Sequence, residues 1–175
     1  MSQKERTQKI VLTALFAALT CAATMVIRIP TPATSGYIHP GDALVILCGL
    51  VLGPRYGFLA AAIGSGMSDL IGGYFLYVPA TFVIKGAIAY LTGKATHRLA
   101  DTTRGHITGA VIGGVIDIVL VAGGYFVFEY FIYGAAAAAS IPANCIQGVS
   151  GLIIASILAP VLCAIPQVKS INVHR

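Results

Sequence analysis

Long apolar runs separated by short polar connectors organise this chain from residue 10 to residue 165. The runs do not alternate between apolar and polar residues, a pattern that argues against a transmembrane barrel and favours helices. They predict six helical segments, at residues 10–27, 41–53, 56–73, 79–93, 107–133 and 141–165. The second and fourth segments are shorter than the roughly 20 residues of a straight membrane span, so we expect them to pack among longer helices.

Glycine, proline and serine mark several of the predicted boundaries. Gly53 and Pro54 end the second segment and predict a tight turn before the third. Pro79 opens the fourth segment, where its missing N–H removes no helical hydrogen bond. Ser140 is expected to cap the sixth segment, and Pro160 is expected to kink or end it.

Composition places these helices in a membrane. Hydrophobic residues make up 57% of the 175 residues and charged residues only 10%, whereas soluble domains carry about 25% charged residues. The mean hydropathy is +0.87. We therefore predict an all-α integral membrane protein, a compact bundle of six transmembrane helices that forms a single domain over residues 1–175. The first run is longer than the apolar part of a signal peptide, about 7–15 residues, and is predicted to be a retained span.

Basic residues predict the orientation of the bundle. The net charge is +5, and all but two of the eleven Lys and Arg residues fall at the termini or in connectors on one side. The exceptions are Arg28 on the other side and Lys85 within a span. Because cytoplasmic connectors carry the excess of Lys and Arg, both termini are predicted to be cytoplasmic, N-in/C-in. We expect a multi-pass protein of the bacterial plasma membrane that contacts the lipid bilayer and no nucleic acid.

Polar side chains inside the spans gather at one predicted depth. At about 1.5 Å per helical residue, six of them fall in the outer half of the membrane: Asp42, Asp69, Lys85, Glu129, Asn144 and Gln147. Their distribution predicts a pocket open to the outside and closed below. The same residues could instead form structural ion pairs and interhelical hydrogen bonds, for example Lys85 with Glu129. Asp117 lies near mid-membrane among glycines and is expected to be structural.

Aromatic and loop residues at the outer end have two interpretations. Tyr37, Tyr77 and Tyr133 suit the membrane interface, and they could equally stack on a flat heterocycle. His39 is either part of a loop that closes over a ligand or an ordinary loop residue.

The sequence predicts neither an enzyme nor a metal site. It contains no nucleophile elbow, zinc-protease motif or phosphate-binding loop. The four cysteines are scattered through apolar runs, without the spacing of metal ligands or a disulfide framework. We expect no cofactor, and any ATP hydrolysis would come from partner ATPases.

Three alanines form a stripe of small residues on the first helix. Ala14, Ala18 and Ala22 recur at a spacing of four, which lets another helix approach closely. The stripe could pack against a neighbouring span or dock a second protein.

With this stripe, two further motifs resemble the substrate-binding S components of energy-coupling factor (ECF) vitamin transporters, of the riboflavin/hydroxymethylpyrimidine-type branch. One is "GDALVILCGLVLGPRYGFLAAAIGSGMSDLIG", and the other is "YVPATFVIKG" with Pro79, Thr81, Lys85 and Gly86. The six predicted spans in a chain of this length also fit, and the similarity covers most of the chain. The resemblance implies a small membrane protein that captures a vitamin at its extracellular face.

The resemblance also implies partners, and it fits the outer pocket inferred from the polar residues. The alanine stripe would dock on a transmembrane coupling protein that is carried by two cytoplasmic ATPases. The predicted substrate-binding residues are Tyr37, His39, Asp42, Asp69, Tyr77, Thr81, Lys85, Glu129, Tyr133, Asn144 and Gln147. Acidic candidates at least balance basic ones, which favours a pyridoxine-like or hydroxymethylpyrimidine-like heterocycle over an anion such as pantothenate, with riboflavin still possible. A structural or regulatory subunit without a ligand and a self-sufficient facilitator are the alternatives.

Overall fold

The regular structure of the described residues, 3–31, 33–99 and 101–172, comprises five long α-helices, two short helices and a small β ribbon in a computed structural model. The elements follow one another as α1 (Gln3–Val26), β1 (Ile29–Pro30), β2 (Tyr37–Ile38), α2 (Asp42–Gly72), α3 (Val78–Thr96), α4 (Thr103–Tyr133), a 3₁₀ helix (Gly134–Ser140), α5 (Ile141–Ala164) and α6 (Pro166–Asn172).

The chain reverses direction inside α2, at Gly53. Gly53 has φ 76° and ψ −178°, a conformation that is essentially restricted to glycine. A Cβ on Gly57 would lie 2.7 Å from the carbonyl oxygen of Cys48, although residues nine apart in a straight helix are separated by about 13 Å. The expected second and third segments are therefore the two arms of one hairpin.

Small residues bring the neighbouring helices close to this hairpin. A Cβ on Gly49 would collide with the backbone carbonyl of Ala89 in α3, and one on Gly64 would collide with the carbonyl of Ala17 in α1. At both contacts the backbones approach so closely that no side chain fits between them, as is common between membrane helices.

The distribution of side chains is the reverse of that in a soluble protein. Lys85 and Asp42 are fully buried, whereas Val119 and Phe131 are 63% and 84% exposed. Large exposed apolar surfaces and buried charges are both typical of a membrane-embedded bundle. By length and hydropathy, three stretches of the described residues could cross a membrane: Gln3–Val26, Asp42–Gly72 and Thr103–Ala164.

Several local predictions differ from the structure. The first helix begins seven residues earlier than the apolar run, because polar residues add turns to its N-terminal end. Helix α5 continues through Pro160 to Ala164, so Pro160 does not end the helix, and the alternative that it kinks the helix stays a prediction. The β ribbon and α6 were not predicted, since two-residue strands and a seven-residue helix give almost no periodic signal.

The reversal at Gly53 generates the first prediction. Replacing Gly53 with Ala should destabilise the protein by about 1–3 kcal/mol, because a Cβ is strained in this conformation. The change would be measured as a lower melting temperature of the purified protein in detergent. Gly66→Ala is the matched control, since its Cβ would meet only the Phe82 ring at an ordinary 3.7 Å. Equal melting temperatures for the two variants would contradict the reversal.

Candidate functional site

The loop between α1 and α2 covers one end of the helices. We call residues 33–41 of this loop the roof. Strand β2, within the roof, pairs antiparallel with β1, with Ile38 opposite Ile29. The backbone N–H of His39 donates to Oε1 of Gln147 on α5 at 3.0 Å, so the roof is tied to a helix that is distant in sequence.

A small cavity lies beneath the roof. It offers only about 20 Å³ to the centres of water molecules, which is room for about one water. Its walls come from the loop between α1 and α2, which includes the roof, from the residue before α3, and from all five long helices. They are lined by Thr24, Thr31, Gly36, Tyr37, His39, Asp69, Tyr77, Thr81, Tyr125, Glu129, Asn144 and Gln147.

An ion pair lies next to the cavity, completely buried. Nζ of Lys85 donates to Oδ1 of Asp42 at 2.5 Å, and both side chains have no exposed surface. Nε2 of Gln147 donates to Oδ2 of Asp42 at 2.7 Å. The carboxylate is therefore bonded at both oxygens, and Gln147 connects it to the roof.

His39 is held as a neutral side chain. Its Nδ1 accepts a hydrogen bond from the backbone N–H of Gly41 at 3.1 Å, which leaves the ring proton on Nε2. Burial lowers the pKa of His39 to about 4, and this effect outweighs the opposing attraction of Asp42. Near neutral pH, His39 therefore contributes a polar uncharged group to the cavity wall.

A cluster of rings and charges flanks the roof. The hydroxyl of Tyr37 donates to Oδ1 of Asp69 at 2.6 Å, and burial together with this carboxylate raises the pKa of Tyr37. The Arg28 guanidinium lies 4.9 Å from the centre of the Tyr37 ring and 5.6 Å from that of Tyr74. It also donates to the carbonyl oxygen of Ser68 at 2.9 Å. These contacts fix the edge of the roof against α2.

Two hydroxyl groups hold Glu129 in the cavity wall. Tyr77 donates to its Oε1 at 2.9 Å and Ser140 to its Oε2 at 2.5 Å. Burial, reinforced by Glu129, raises the pKa of Tyr77. Ser140 occupies the N-cap position of α5 as predicted, but its side chain makes no capping hydrogen bond there and donates to the Glu129 carboxylate.

Eight of the eleven predicted site residues line this cavity: Tyr37, His39, Asp69, Tyr77, Thr81, Glu129, Asn144 and Gln147. The other three lie behind them. Asp42 and Lys85 form the adjoining ion pair, and Tyr133 interacts with the hydroxyl of Tyr77. The suggested pairing of Lys85 with Glu129 was wrong, since Lys85 pairs with Asp42.

Four lining residues were absent from the predicted set: Thr24, Thr31, Gly36 and Tyr125. The Tyr125 hydroxyl is 2.9 Å from Oγ1 of Thr81, and its ring centre is 5.5 Å from Nζ of Lys85. A spacing of four from Glu129 could have revealed Tyr125, because residues four apart share a helix face.

Asp117 lies close enough to Asp42 to interact with it electrostatically. It is fully buried, and neither carboxylate oxygen has a hydrogen-bond partner among the described residues. Its expected structural role stays a prediction.

The fold and the site together describe a membrane-embedded binding protein, and comparison with known proteins identifies its family. The family model for "ECF-type riboflavin transporter, S component" matches residues 4–164. The chain belongs to this family, which confirms the resemblance seen in the sequence. ECF S components are membrane proteins and the substrate-binding subunits of transporters, and they are not enzymes.

Two relatives and two solved structures extend the comparison. The chain is 36% identical over 141 residues, 79% of its length and 90% of the relative's, to a Pyrococcus woesei protein described as "Uncharacterized protein in gap 3'region". It is 23% identical over 157 residues to the "Thiamine precursor transporter HmpT" of Lactococcus lactis subsp. cremoris (strain MG1363), covering 89% of this chain and 87% of that one.

The solved structures show the same fold. The S component for biotin from an ECF-type ABC transporter superposes with a TM-score of 0.62 at 18% identity, over 90% of this chain and 94% of that chain. The S component of a bacterial ECF transporter gives 0.66 at 23% identity, over 90% and 96%.

The buried ion pair generates the second prediction. Lys85→Met should cost about 3–5 kcal/mol of stability, because it leaves Asp42 charged and unpaired inside the protein. The double variant Asp42→Asn/Lys85→Met removes both charges and should recover most of the loss. Melting temperatures of the three proteins, measured without ligand, test this. Equal stability of the single and double variants would mean that the pair does not hold the helices together.

Proposed function

We propose that this S component captures a vitamin or vitamin precursor in the cavity beneath the roof. The observation that carries the proposal is the cavity itself, where polar and aromatic side chains from six parts of the chain converge at one end of the helices. A small concave site with a few placed polar groups is typical of small-molecule binding. Its ligand would enter from the extracellular side and leave through the associated coupling protein and ATPases.

The charges around the cavity favour a neutral or weakly cationic ligand. Asp69 and Glu129 line it, whereas no Lys or Arg among the described residues does. Lys85 is close by, but Asp42 already compensates its charge. An anionic ligand would therefore meet two carboxylates and no free cation, and for this reason we favour a pyridoxine-like or hydroxymethylpyrimidine-like heterocycle.

The relatives support a heterocycle without deciding which one. HmpT is named a thiamine precursor transporter, and the family model is named for riboflavin. The cavity has room for about one water, so any vitamin must displace the roof or the walls. A single small ring requires less displacement than the three fused rings of riboflavin, which favours the smaller ligand.

The roof is the part of the site best placed to move. Among the described residues, two hydrogen bonds hold the roof to side chains of the helices: Tyr37 donates to Asp69, and His39 donates to Gln147. A Cβ on Gly36 would lie 3.1–3.3 Å from Thr31, Glu129 and Tyr77, so the roof backbone rests directly on the cavity. Ligand entry would separate these few contacts and leave the helices in place.

Binding of a vitamin gives the third prediction. The purified protein would be melted with each compound of a panel: a hydroxymethylpyrimidine, thiamine, pyridoxine, riboflavin and pantothenate. One compound should stabilise the protein by about 2.7 kcal/mol at a hundredfold excess over Kd. Glu129→Gln should weaken that binding about tenfold or more, because a hydrogen bond to a charged group contributes about 1.5–3 kcal/mol. Isothermal titration would measure the change in Kd.

Asp101→Asn provides the matched control for this experiment. It makes the same carboxylate-to-amide change at an exposed position where Asp101 contacts His106, and it should leave the Kd unchanged. A panel without any stabilising compound would favour a structural or regulatory subunit. Uptake into liposomes that lack ATPases would favour a self-sufficient facilitator.

We also infer that α1 docks on the transmembrane coupling protein. Phe16, Thr20 and Thr24 form the buried face of α1, whereas Ala14, Ala18 and Ala22 are exposed. The alanine stripe is therefore not the main packing face of α1 within this chain, and it remains open to a helix of a second protein.

The membrane arrangement in this proposal has six spans, with the two arms of α2 counted separately and both termini in the cytoplasm. The excess of Lys and Arg on the side of Gly53 supports this orientation. We place the protein in the plasma membrane. Relatives occur in both Pyrococcus woesei and Lactococcus lactis, so a bacterial source stays a prediction.

Docking through the stripe gives the fourth prediction. Ala18→Trp should abolish co-purification with the coupling protein and ATPases, because a large ring prevents close helix approach, and it should leave vitamin binding intact. The matched control is Val119→Trp, which places the same ring at another exposed position, on α4. Co-purification of the Ala18 variant at the level of the control would show that the stripe does not dock.

A further inference from the structure

A second cavity lies at the opposite end of the helices from the roof, beside the reversal at Gly53. Its volume is about 500 Å³, within the range of about 300–1,000 Å³ that is usual for ligand sites. Among the described residues, the polar part of its lining comprises three cationic side chains, one histidine and two tyrosines, and no Asp or Glu: Lys9, Arg55, Lys94, His97, Tyr56 and Tyr90. The vitamin site uses none of these residues.

The positive groups come from three separate helices. Lys9 lies on α1, Arg55 on the second arm of α2, and Lys94 at the end of α3. Within the part of the chain that the structure describes, neither Arg55 nor Lys94 forms an ion pair. Nδ1 of His97 is 2.8 Å from the carbonyl oxygen of Lys94 and must donate to it. The cavity thus concentrates uncompensated positive charge.

An apolar groove continues from this cavity along the helices. The groove has a volume of about 520 Å³ and shares Arg55 and Tyr90 with the cavity. Its other walls include Phe58, Leu59 and Leu91, and the two leucines are 43% and 41% exposed. These residues lie about one helical turn from Arg55 and Lys94 towards the middle of the bundle. The positively charged cavity at the membrane boundary therefore opens directly into the apolar groove.

We propose that the cavity and the groove together bind one anionic phospholipid. Its phosphate would lie among Arg55, Lys94 and Lys9, and one acyl chain would follow the groove past Leu59. Basic pockets between membrane helices are suited to anionic headgroups, and the adjoining apolar groove gives the acyl chain a place that a free phosphate would not need. The lipid would hold the hairpin turn of α2 and the end of α3 at the membrane surface. This role is independent of the vitamin cavity.

Lipid retention by the full-length purified protein tests the proposal. The protein would be equilibrated in detergent with equal amounts of dioleoyl phosphatidylglycerol and dioleoyl phosphatidylcholine, and bound lipid would be counted by native mass spectrometry. Phosphatidylglycerol should be retained in preference. Arg55→Gln/Lys94→Gln should weaken its retention about tenfold or more, because each basic residue contributes to the attraction. Both residues are exposed, and the melting temperature without lipid checks the fold.

Lys4→Gln/Arg104→Gln is the matched control, since it removes two exposed charges outside the cavity. It should retain phosphatidylglycerol like the unaltered protein. Equal loss in both double variants, or equal retention of the two lipids, would overturn the proposal and would favour general charge attraction or an acidic protein partner. Displacement of the lipid by an equal concentration of glycerol 3-phosphate would also overturn it, because the groove would then contribute nothing.

Discussion

The buried ion pair between Lys85 and Asp42 is the constraint on which the rest of the structure depends. Removing two charges from water costs several kcal/mol per ion, and the cost is offset only where the groups meet with good geometry and further hydrogen bonds. Here the ammonium lies 2.5 Å from one carboxylate oxygen, and Gln147 bonds to the other at 2.7 Å. Because these residues come from α3, α2 and α5, the pair fixes three helices relative to one another at one depth.

This pair also determines the charge that remains on the walls of the proposed binding site. With Lys85 and Asp42 compensating each other, the charges left on the cavity wall are carboxylates, and each is held by hydroxyl groups: Asp69 by Tyr37, and Glu129 by Tyr77 and Ser140. Neutral donors orient these carboxylates without cancelling their charge. A ligand with donors of its own would therefore find acceptors already positioned, and this preorganisation lowers the entropic cost of binding.

Part of this arrangement could be predicted from the sequence. Apolar runs locate helices, and ionisable residues within them mark a site because each is costly in a membrane. The depth of each residue follows from the helical rise, so the grouping of Lys85, Glu129 and Gln147 in the outer half of the membrane could be predicted. Depth does not give the rotation of a helix or the distance to its neighbours, and for that reason Glu129 was suggested as the partner of Lys85 where the structure has Asp42.

Other features of the cavity depend on contacts between distant residues, which leave no local pattern in the sequence. Tyr125 enters the cavity because α4 and α3 place it opposite Thr81, and Thr24 enters because α1 ends beneath the roof. The ribbon at Tyr37–Ile38 is two residues long, too short for alternation to be visible. Ser140 occupies the N-cap position of α5, but its hydroxyl donates to the buried Glu129 carboxylate and its oxygen accepts no capping hydrogen bond.

Gln147 couples the roof to the buried ion pair. The oxygen of its amide accepts a hydrogen bond from the roof, and the nitrogen donates to Asp42. A single side chain therefore connects the roof to the ion pair that joins the helices. If the roof moves away, the amide oxygen of Gln147 loses its hydrogen bond, and the amide nitrogen is held less firmly against Asp42. A bound molecule that supplies its own donor to Gln147 would replace the missing bond. Movement of the roof and the bonding of the Asp42–Lys85 pair are therefore coupled through one side chain.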